Sequence, residues 1–370
     1  MRVLVDGTPL LLKSAGVKNY IYHWASALVR KAPGEVEVFP FLGGRVSLRH
    51  ESSVVGPIGT AARLALLQFL NLTGNWSKGL LRSRYDLFHV SQIFLNPPTG
   101  IRLTATIYDM SCWLVPETHT EANIAATKLY GDRTLRRADF TIAISEQSRR
   151  DAIDILRLDP SRVAVVYPGV TDEFFNPSPE AIRSVRERFK LGKPYVLYVG
   201  TIEPRKNVAR LIKAYADLPE HVRGNVDLVV AGFLGWNYES EAAMLKNTPG
   251  VRYLGYVPES DMVGLTAGAQ VMAYPSIYEG FGFPVAQAMA SGVPVVTSRN
   301  SSLSEICGDT AVLVDCYDVS DISAGIAGLL DRPSDARVMA ERARTRAALF
   351  TWERSATESM RLFEQVVCRA

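Results

Sequence analysis

The residues able to do chemistry gather in two short stretches. The first, YVGTIEPRKNVARLIKAY, ends an apolar run at Gly200 and sets Arg205 and Lys206 just before a helical pattern beginning near Val208. Adjacent cations in a loop at a strand's carboxyl end can neutralise a diphosphate. They also oppose the dipole of the following helix, so an ordinary turn, even with Asn207 as its N-cap, leaves them unexplained. The second stretch, PSIYEGFGFPVAQAMASGVPVV, places Glu279 directly before Gly280, Phe281, Gly282 and Phe283. Pro284 suits a helix start, Gly292 suits its C-terminal cap, and Pro294 bars continuation. Glycines let a ligand approach the backbone, and N–H groups at a helix start favour an anion. The turn reads as a phosphate cradle in which Glu279 can accept hydrogen bonds from a polyol.

A dinucleotide fingerprint is the rival reading, because Gly280-x-Gly282 follows a strand. Val285 stands where its third glycine belongs, and the next strand ends in TSRN without a ribose-binding acid. An NAD-dependent oxidoreductase is set aside on those grounds. Near the N-terminus, Ala15-Gly16 joins the first strand to the first helix. It can touch a phosphate or sugar, and equally can be a plain tight connection.

These residues need a frame. Short apolar runs (RVLVDG, LFHVS, LTATIYD, FTIAIS, VAVVYPGV) alternate with helical segments, and the alternation restarts at YVLYVGT. Strands apolar on both faces belong to parallel sheets covered by helices. With 370 residues, two domains of ordinary size are expected. The Pro-, Gly- and acid-rich VYPGVTDEFFNPSPE marks the boundary. We expect doubly wound α/β domains over 1–172 and 173–350, facing a central cleft. An amphipathic helix over 351–370 should pack back across them.

Composition narrows the partners. The chain is 47% hydrophobic and 21% charged, with a net charge of +3 that does not call for nucleic acid. Between residues 44 and 84 Arg45, Arg49, Arg63, Lys78, Arg82 and Arg84 face only one acid, Glu51. That excess suits an anionic membrane or a phosphate-bearing acceptor, although a solvated loop and helix surface is the favoured reading. Four scattered cysteines without C-x-x-C fit a reducing, cytoplasmic compartment. The N-terminus lacks signal-peptide character, and no apolar run approaches the roughly 18 residues of a membrane span. Any membrane contact is therefore expected to be peripheral, on the inner face of the cytoplasmic membrane. Asp-x-Asp is absent, so no metal clamp and no cofactor are expected.

The ordered set GTIEPRKNVARLIKAY, LGYVPESDMVGLTAGA, YPSIYEGFGFPVAQAMASGVPVVTS, SSLSEICGD and FTWERSA resembles the retaining, nucleotide-sugar-dependent glycosyltransferases of family four, of GT-B fold. The resemblance runs over nearly the whole chain. It implies an N-terminal domain for the acceptor and a C-terminal domain for the donor. It gives Arg205 and Lys206 the donor diphosphate and Glu279 the sugar hydroxyls. The backbone from Gly280 to Pro284 would contact sugar and phosphate, Tyr256 and Val257 would border the base, Gly200 would join the donor site, and Gly16 would lie under the diphosphate. The departing diphosphate itself would take the acceptor's proton.

The sequence departs from that pattern twice. The second glutamate of E-x7-E is Gln287 here, an amide that can still bind a ribose hydroxyl with weaker charge assistance. The strand-end Thr-Ile-His-Asp is matched by TIYD, so Tyr108 replaces a histidine on the acceptor or sugar side and Asp109 is kept as a catalytic candidate. Tyr108 is neutral at pH 7 and can donate one hydrogen bond. His89, at another strand end, could face the cleft on the acceptor or sugar side, but a structural histidine is the favoured reading. The expected function is metal-independent hexosyl transfer, from GDP-mannose first and a UDP-sugar next. The expected acceptor is a saccharide or lipid-linked saccharide of bacterial surface polysaccharide. The alternative is a catalytically weak sugar-nucleotide-binding partner of an active glycosyltransferase.

Overall fold

The computed structural model describes residues 1–11, 16–39, 56–73, 79–92, 94 and 96–368; the side chains of 56–60 and 80–82 lie outside it. Ala15, Arg45, Arg49 and Lys78, and the side chain of Arg82, therefore fall outside the described residues.

The chain forms two compact units. The first holds six parallel strands: β1 (Val3–Asp6), β2 (Val36–Phe39), β3 (Leu87–Val90), β4 (Arg102–Ile107), β5 (Phe140–Ala143) and β6 (Val163–Val165), in the order β2-β1-β3-β4-β5-β6. Val3, Leu4 and Val5 are inaccessible to solvent, as expected of a strand covered on both faces. The helix Gly16–Lys31 follows β1, and the last helix, Trp352–Cys368, packs against it. Trp352, Ala356, Met360, Phe363 and Val366 line the buried stripe of that last helix, and Trp24 Nε1 donates to Ser359 Oγ at 3.0 Å.

The second unit repeats the plan with β7 (Tyr195–Val199), β8 (Asp227–Ala231), β9 (Val251–Gly255), β10 (Val271–Tyr274), β11 (Val295–Ser298) and β12 (Val312–Val314). Their order is β12-β11-β10-β7-β8-β9, again all parallel. The helices lie in two groups. Val208–Ala216 packs with Val319–Asp331, while Phe283–Ala290 packs with Pro333–Ala347 and Pro179–Arg188 with Glu259–Ala267. In each sheet the winding reverses once, between β1 and β3 and between β7 and β10. Ligands of open α/β sheets bind outside the carboxyl ends of the strands at such a reversal.

The chain passes from the first unit to the second between Gly169 and Val170 and returns to the first at Thr351; Leu114–Thr120 also belongs to the second unit. Gly169 is required at its place: a Cβ there would sit 2.1 Å from the backbone nitrogen of Trp352, where the last helix begins.

Candidate active site

The reversal in the second sheet places two loops side by side. One follows β7 and carries Gly200 to Asn207; the other follows β10 and carries Pro275 to Gly282. The β7 loop closes with the short helical turn Pro204–Lys206 and Asn207 in a left-handed conformation, φ 62°. Asn207 occupies the N-cap position of the helix Val208–Ala216 but makes no side-chain cap. Its amide instead donates to Pro275 O at 2.9 Å and Cys316 O at 2.6 Å, tying the loop to the neighbouring strand ends. Ile277 N donates to Arg205 O at 2.8 Å, a backbone link between the two loops.

On this scaffold the charged side chains converge. Arg205 Nη1 donates to Glu279 Oε2 at 3.1 Å and Tyr278 O at 2.6 Å, while Nη2 reaches Glu203 Oε1 at 2.9 Å. Lys206 Nζ donates to Glu279 Oε1 at 2.6 Å and to Tyr274 Oη at 2.9 Å. Tyr274 Oη and Ser276 Oγ both donate to the same carboxylate oxygen, at 3.0 and 2.6 Å. The four charges cancel within a nearly buried quartet.

The two acids are pushed apart. Burial would raise the Glu279 carboxyl, but the Lys206 and Arg205 charges and the hydrogen bonds from Lys206 and Ser276 outweigh it and hold the group at about 2. At Glu203 burial prevails over Arg205 and Lys206, and the carboxyl is raised above its ordinary value. Glu279 is thus the firmly ionised member, and Lys206 keeps one N–H beyond the two it spends here.

The turn after Glu279 is built as a helix start. Gly282 is the N-cap of Phe283–Ala290 with φ 92°, and a Cβ there would meet Leu303 Cδ2 at 2.5 Å. Pro284 lies in the first turn, and the helix ends with Gly292 N on Met289 O and Val293 N on Ala288 O, with Gly292 at φ 69°. Ser302 Oγ donates to Glu279 O at 2.8 Å and fixes the turn from the helix Ser301–Cys307. The Phe281 ring is core, edge-on to Phe283 and Phe350. Gln287, one turn further on, is half-buried.

Three of the expected donor residues lie at the ends of β7 and β9. Gly200 N donates to Ala231 O at 2.9 Å, joining the ends of β7 and β8. Val257 is buried, while the Tyr256 ring stacks on Phe233 with centroids 4.6 Å apart, both rings about half exposed.

The remaining candidates belong to the first unit. His89 is not placed to face a ligand: it is a fully buried residue of β3, with Nδ1 3.0 Å from Thr104 Oγ1 and Nε2 2.9 Å from Thr106 Oγ1. Burial lowers its pKa to about 3, so the ring is neutral and structural and does not face the cleft as its strand-end position had allowed. Tyr108 follows β4 and meets Tyr20 edge-on at 5.5 Å. Asp109 Oδ1 accepts from Ser111 N and Oγ at the start of a short helix, Ser111–Leu114. Gly16 is exposed at the first position of its helix, with nothing within 4 Å of a Cβ built there.

Sequence reasoning missed Glu203, Tyr274, Ser276 and Phe233. Glu203 was legible as an acid two positions before Arg205. Tyr274 and Ser276 carried no signal, because their role depends on β10 lying beside β7. It also missed Asp6, an inaccessible acid at the end of β1 that accepts from the backbone and hydroxyl groups of Thr8 and Ser91. Its signal was an acid closing an apolar strand.

Two families match the chain, Glycosyltransferase Family 4 over residues 14–174 and Glycosyl transferases group 1 over residues 181–346. O-antigen chain mannosyltransferase B of Escherichia coli is 32% identical over 288 residues, 77% of this chain and 76% of that protein. Sucrose-phosphate synthase from Thermosynechococcus elongatus superposes with a TM-score of 0.77 at 20% identity over the full length of both chains. The Anabaena protein HepE, solved in complex with UDP and glucose, superposes at 0.70 and 19% identity over 99% of this chain and 100% of that one. With its two six-stranded parallel sheets and its ion-paired strand-end loops, the chain belongs to the group 1, family 4 glycosyltransferases of GT-B fold.

Proposed function

We propose that the protein transfers mannose from GDP-mannose, with retention at the anomeric carbon, to a saccharide or lipid-linked saccharide of a bacterial surface polysaccharide. The observation that carries this reading is the Arg205–Lys206–Glu279 cluster, set between the strand ends of β7 and β10 beside the start of the helix Phe283–Ala290. The E. coli relative's name supports mannose and polysaccharide. The UDP and glucose of HepE support a nucleoside-diphosphate sugar and keep UDP-sugars as the next donor.

In the proposed reaction the bond from the anomeric carbon to the diphosphate breaks, and the acceptor oxygen bonds the same face of that carbon. The acceptor's proton passes to the departing diphosphate. Lys206 and the positive helix end would stabilise the leaving charge, a role worth several kcal/mol in comparable sites. No metal and no cofactor take part in this scheme. Both carboxylate oxygens of Glu279 accept hydrogen bonds, which weakens it as a nucleophile and supports hydroxyl binding or cation positioning instead.

Isothermal titration against GDP, UDP and their sugar conjugates in EDTA, repeated on Lys206→Ala, tests the reading. We expect one nucleotide to bind and the substitution to weaken it at least tenfold. Binding without turnover toward any saccharide acceptor would favour a weakly catalytic sugar-nucleotide-binding partner, and absence of all nucleotide binding would end both readings.

A further inference from the structure

Tyr274 closes β10 with a hydroxyl that packing alone does not require. Its ring is buried and stacks on Tyr198 of β7, with centroids 5.5 Å and planes 15° apart. Its carbonyl accepts from Thr297 Oγ1 of β11 at 2.8 Å. A phenylalanine would fill the same place. The hydroxyl instead completes a triangle with an ion pair. It accepts from Lys206 Nζ at 2.9 Å and donates to Glu279 Oε1 at 3.0 Å, while the ammonium itself reaches Glu279 Oε1 at 2.6 Å. Burial, and next the charge of Glu279, raise the hydroxyl well above its ordinary 10, so it stays a donor at neutral pH.

The triangle fixes the ammonium. A lysine stem has much rotamer freedom, and a single partner lets the nitrogen swing about it. Two partners pin the nitrogen, and a tetrahedral ammonium then has one N–H direction left. The nitrogen lies 2.9 Å from the Tyr274 oxygen and 5.5 Å from the ring centre, so it sits out along the C–O bond rather than over the ring face. The oxygen carries this contact, and the ring by itself would not replace it. The Lys206 side chain keeps 13% of its surface exposed, whereas Tyr274 is buried, so a ligand can reach the lysine but not the tyrosine.

We propose that Tyr274 is a positioning residue of the transfer reaction, whose hydroxyl aims the remaining N–H of Lys206 at the outer phosphate of the donor diphosphate. The inference rests on the donor reading above. Tyr274 touches no substrate and acts only through Lys206. A nucleoside monophosphate lacks the outer phosphate, so the contrast between diphosphate and monophosphate isolates this contact.

The test is titration of the full chain with GDP, GMP, UDP and UMP, for the wild type, Tyr274→Phe, Lys206→Ala and the double variant. For the nucleotide that binds, we expect Tyr274→Phe to weaken the diphosphate about 5-fold, to leave the monophosphate unchanged and to add nothing in the Lys206→Ala background. In case Tyr274→Phe folds poorly, Tyr274→fluorotyrosine keeps the hydroxyl and gives a second readout. Its fluorine resonance should shift with the diphosphate and not with the monophosphate, and indifference to both would overturn the proposal. Equal losses for the two nucleotides, or a loss that persists without Lys206, would make the hydroxyl merely structural. Wild-type binding that Tyr274→Phe leaves intact would overturn the proposal and keep the donor reading. Wild-type protein that binds no nucleotide would end the donor reading and this proposal with it.

Discussion

Lys206 Nζ lies 2.6 Å from Glu279 Oε1, although 73 positions separate the two residues. The pair forms because β7 and β10 are hydrogen-bonded neighbours, so the loops leaving their carboxyl ends must meet. The partners are tied to Arg205 and Glu203, and removing one charge leaves others buried without compensation. Glu279→Gln is expected to cost about 3–5 kcal/mol, the range for breaking a buried ion pair. Chemical denaturation at neutral pH measures it, and a loss under 1 kcal/mol would show that the quartet is better solvated than its burial indicates.

The same quartet makes stability depend on pH with opposite signs at its two acids. Glu279 is held at about 2, below its ordinary 4.5, so the unfolded chain binds the extra proton in that window. Its stabilisation is complete above 4.5 and is lost as pH falls toward 2. Glu203 is raised above 4.5, so the folded chain binds the extra proton, and its contribution is lost as pH rises above 4.5. Glu203→Gln should therefore flatten the decline in stability on the alkaline side of 4.5 and leave the acid limb in place. An unaltered profile in urea titrations would contradict the raised Glu203.

His89 adds a third pH term from the first unit. The folded ring stays neutral down to about 3, while the unfolded ring takes a proton below its ordinary 6.5. Stability should fall by about 1.4 kcal/mol per pH unit from this group as pH drops from 6.5 toward 3. In His89→Gln that slope should disappear, with nucleotide affinity unchanged because the donor cluster lies wholly in the second unit. A His89 proton resonance titrating near 6.5 in the native protein would refute the structural assignment.

Asn207 combines a left-handed backbone with two buried amide bonds. Asn207→Gly keeps the backbone conformation and loses the bonds. Asn207→Ala loses both and should be the less stable of the two by about 1 kcal/mol. Calorimetry of the pair separates the terms; equal melting temperatures would mean that the φ of 62° is relaxed at little cost.

Phe233 and Tyr256 present a stacked, half-exposed aromatic surface at the ends of β8 and β9. Should a nucleobase lie on it, as the proposed donor requires, Phe233→Ala would weaken nucleotide binding about 3- to 10-fold, the worth of one aromatic stacking contact. Affinity for the bare sugar phosphate should not change. Titration with both ligands decides, and equal effects on the two would move the base elsewhere.

Much of this protein was legible locally. Apolar runs of four to six residues read as strands because both faces of these sheets are covered. Gly282, Pro284 and Gly292 read as helix punctuation because each answers a backbone requirement at its own position. The cations Arg205 and Lys206 stood out because they sit where a helix dipole disfavours them. His89 was ambiguous for an equally physical reason: a strand-end histidine looks the same whether it faces a ligand or bonds to Thr104 and Thr106 of the next strand.

What the sequence determined by itself was the set of elements and the kind of chemistry they carry, because propensity, capping and charge act over a few residues. The tertiary structure alone decided who partners whom. Strand order brought Glu279, Tyr274 and Ser276 onto the two cations. It also set Phe233 against Tyr256, and it buried Leu67 and Leu70 while leaving Leu66 and Phe69 outside. Those pairings rest on contacts between residues tens of positions apart, and no local pattern encodes which strand will lie beside which.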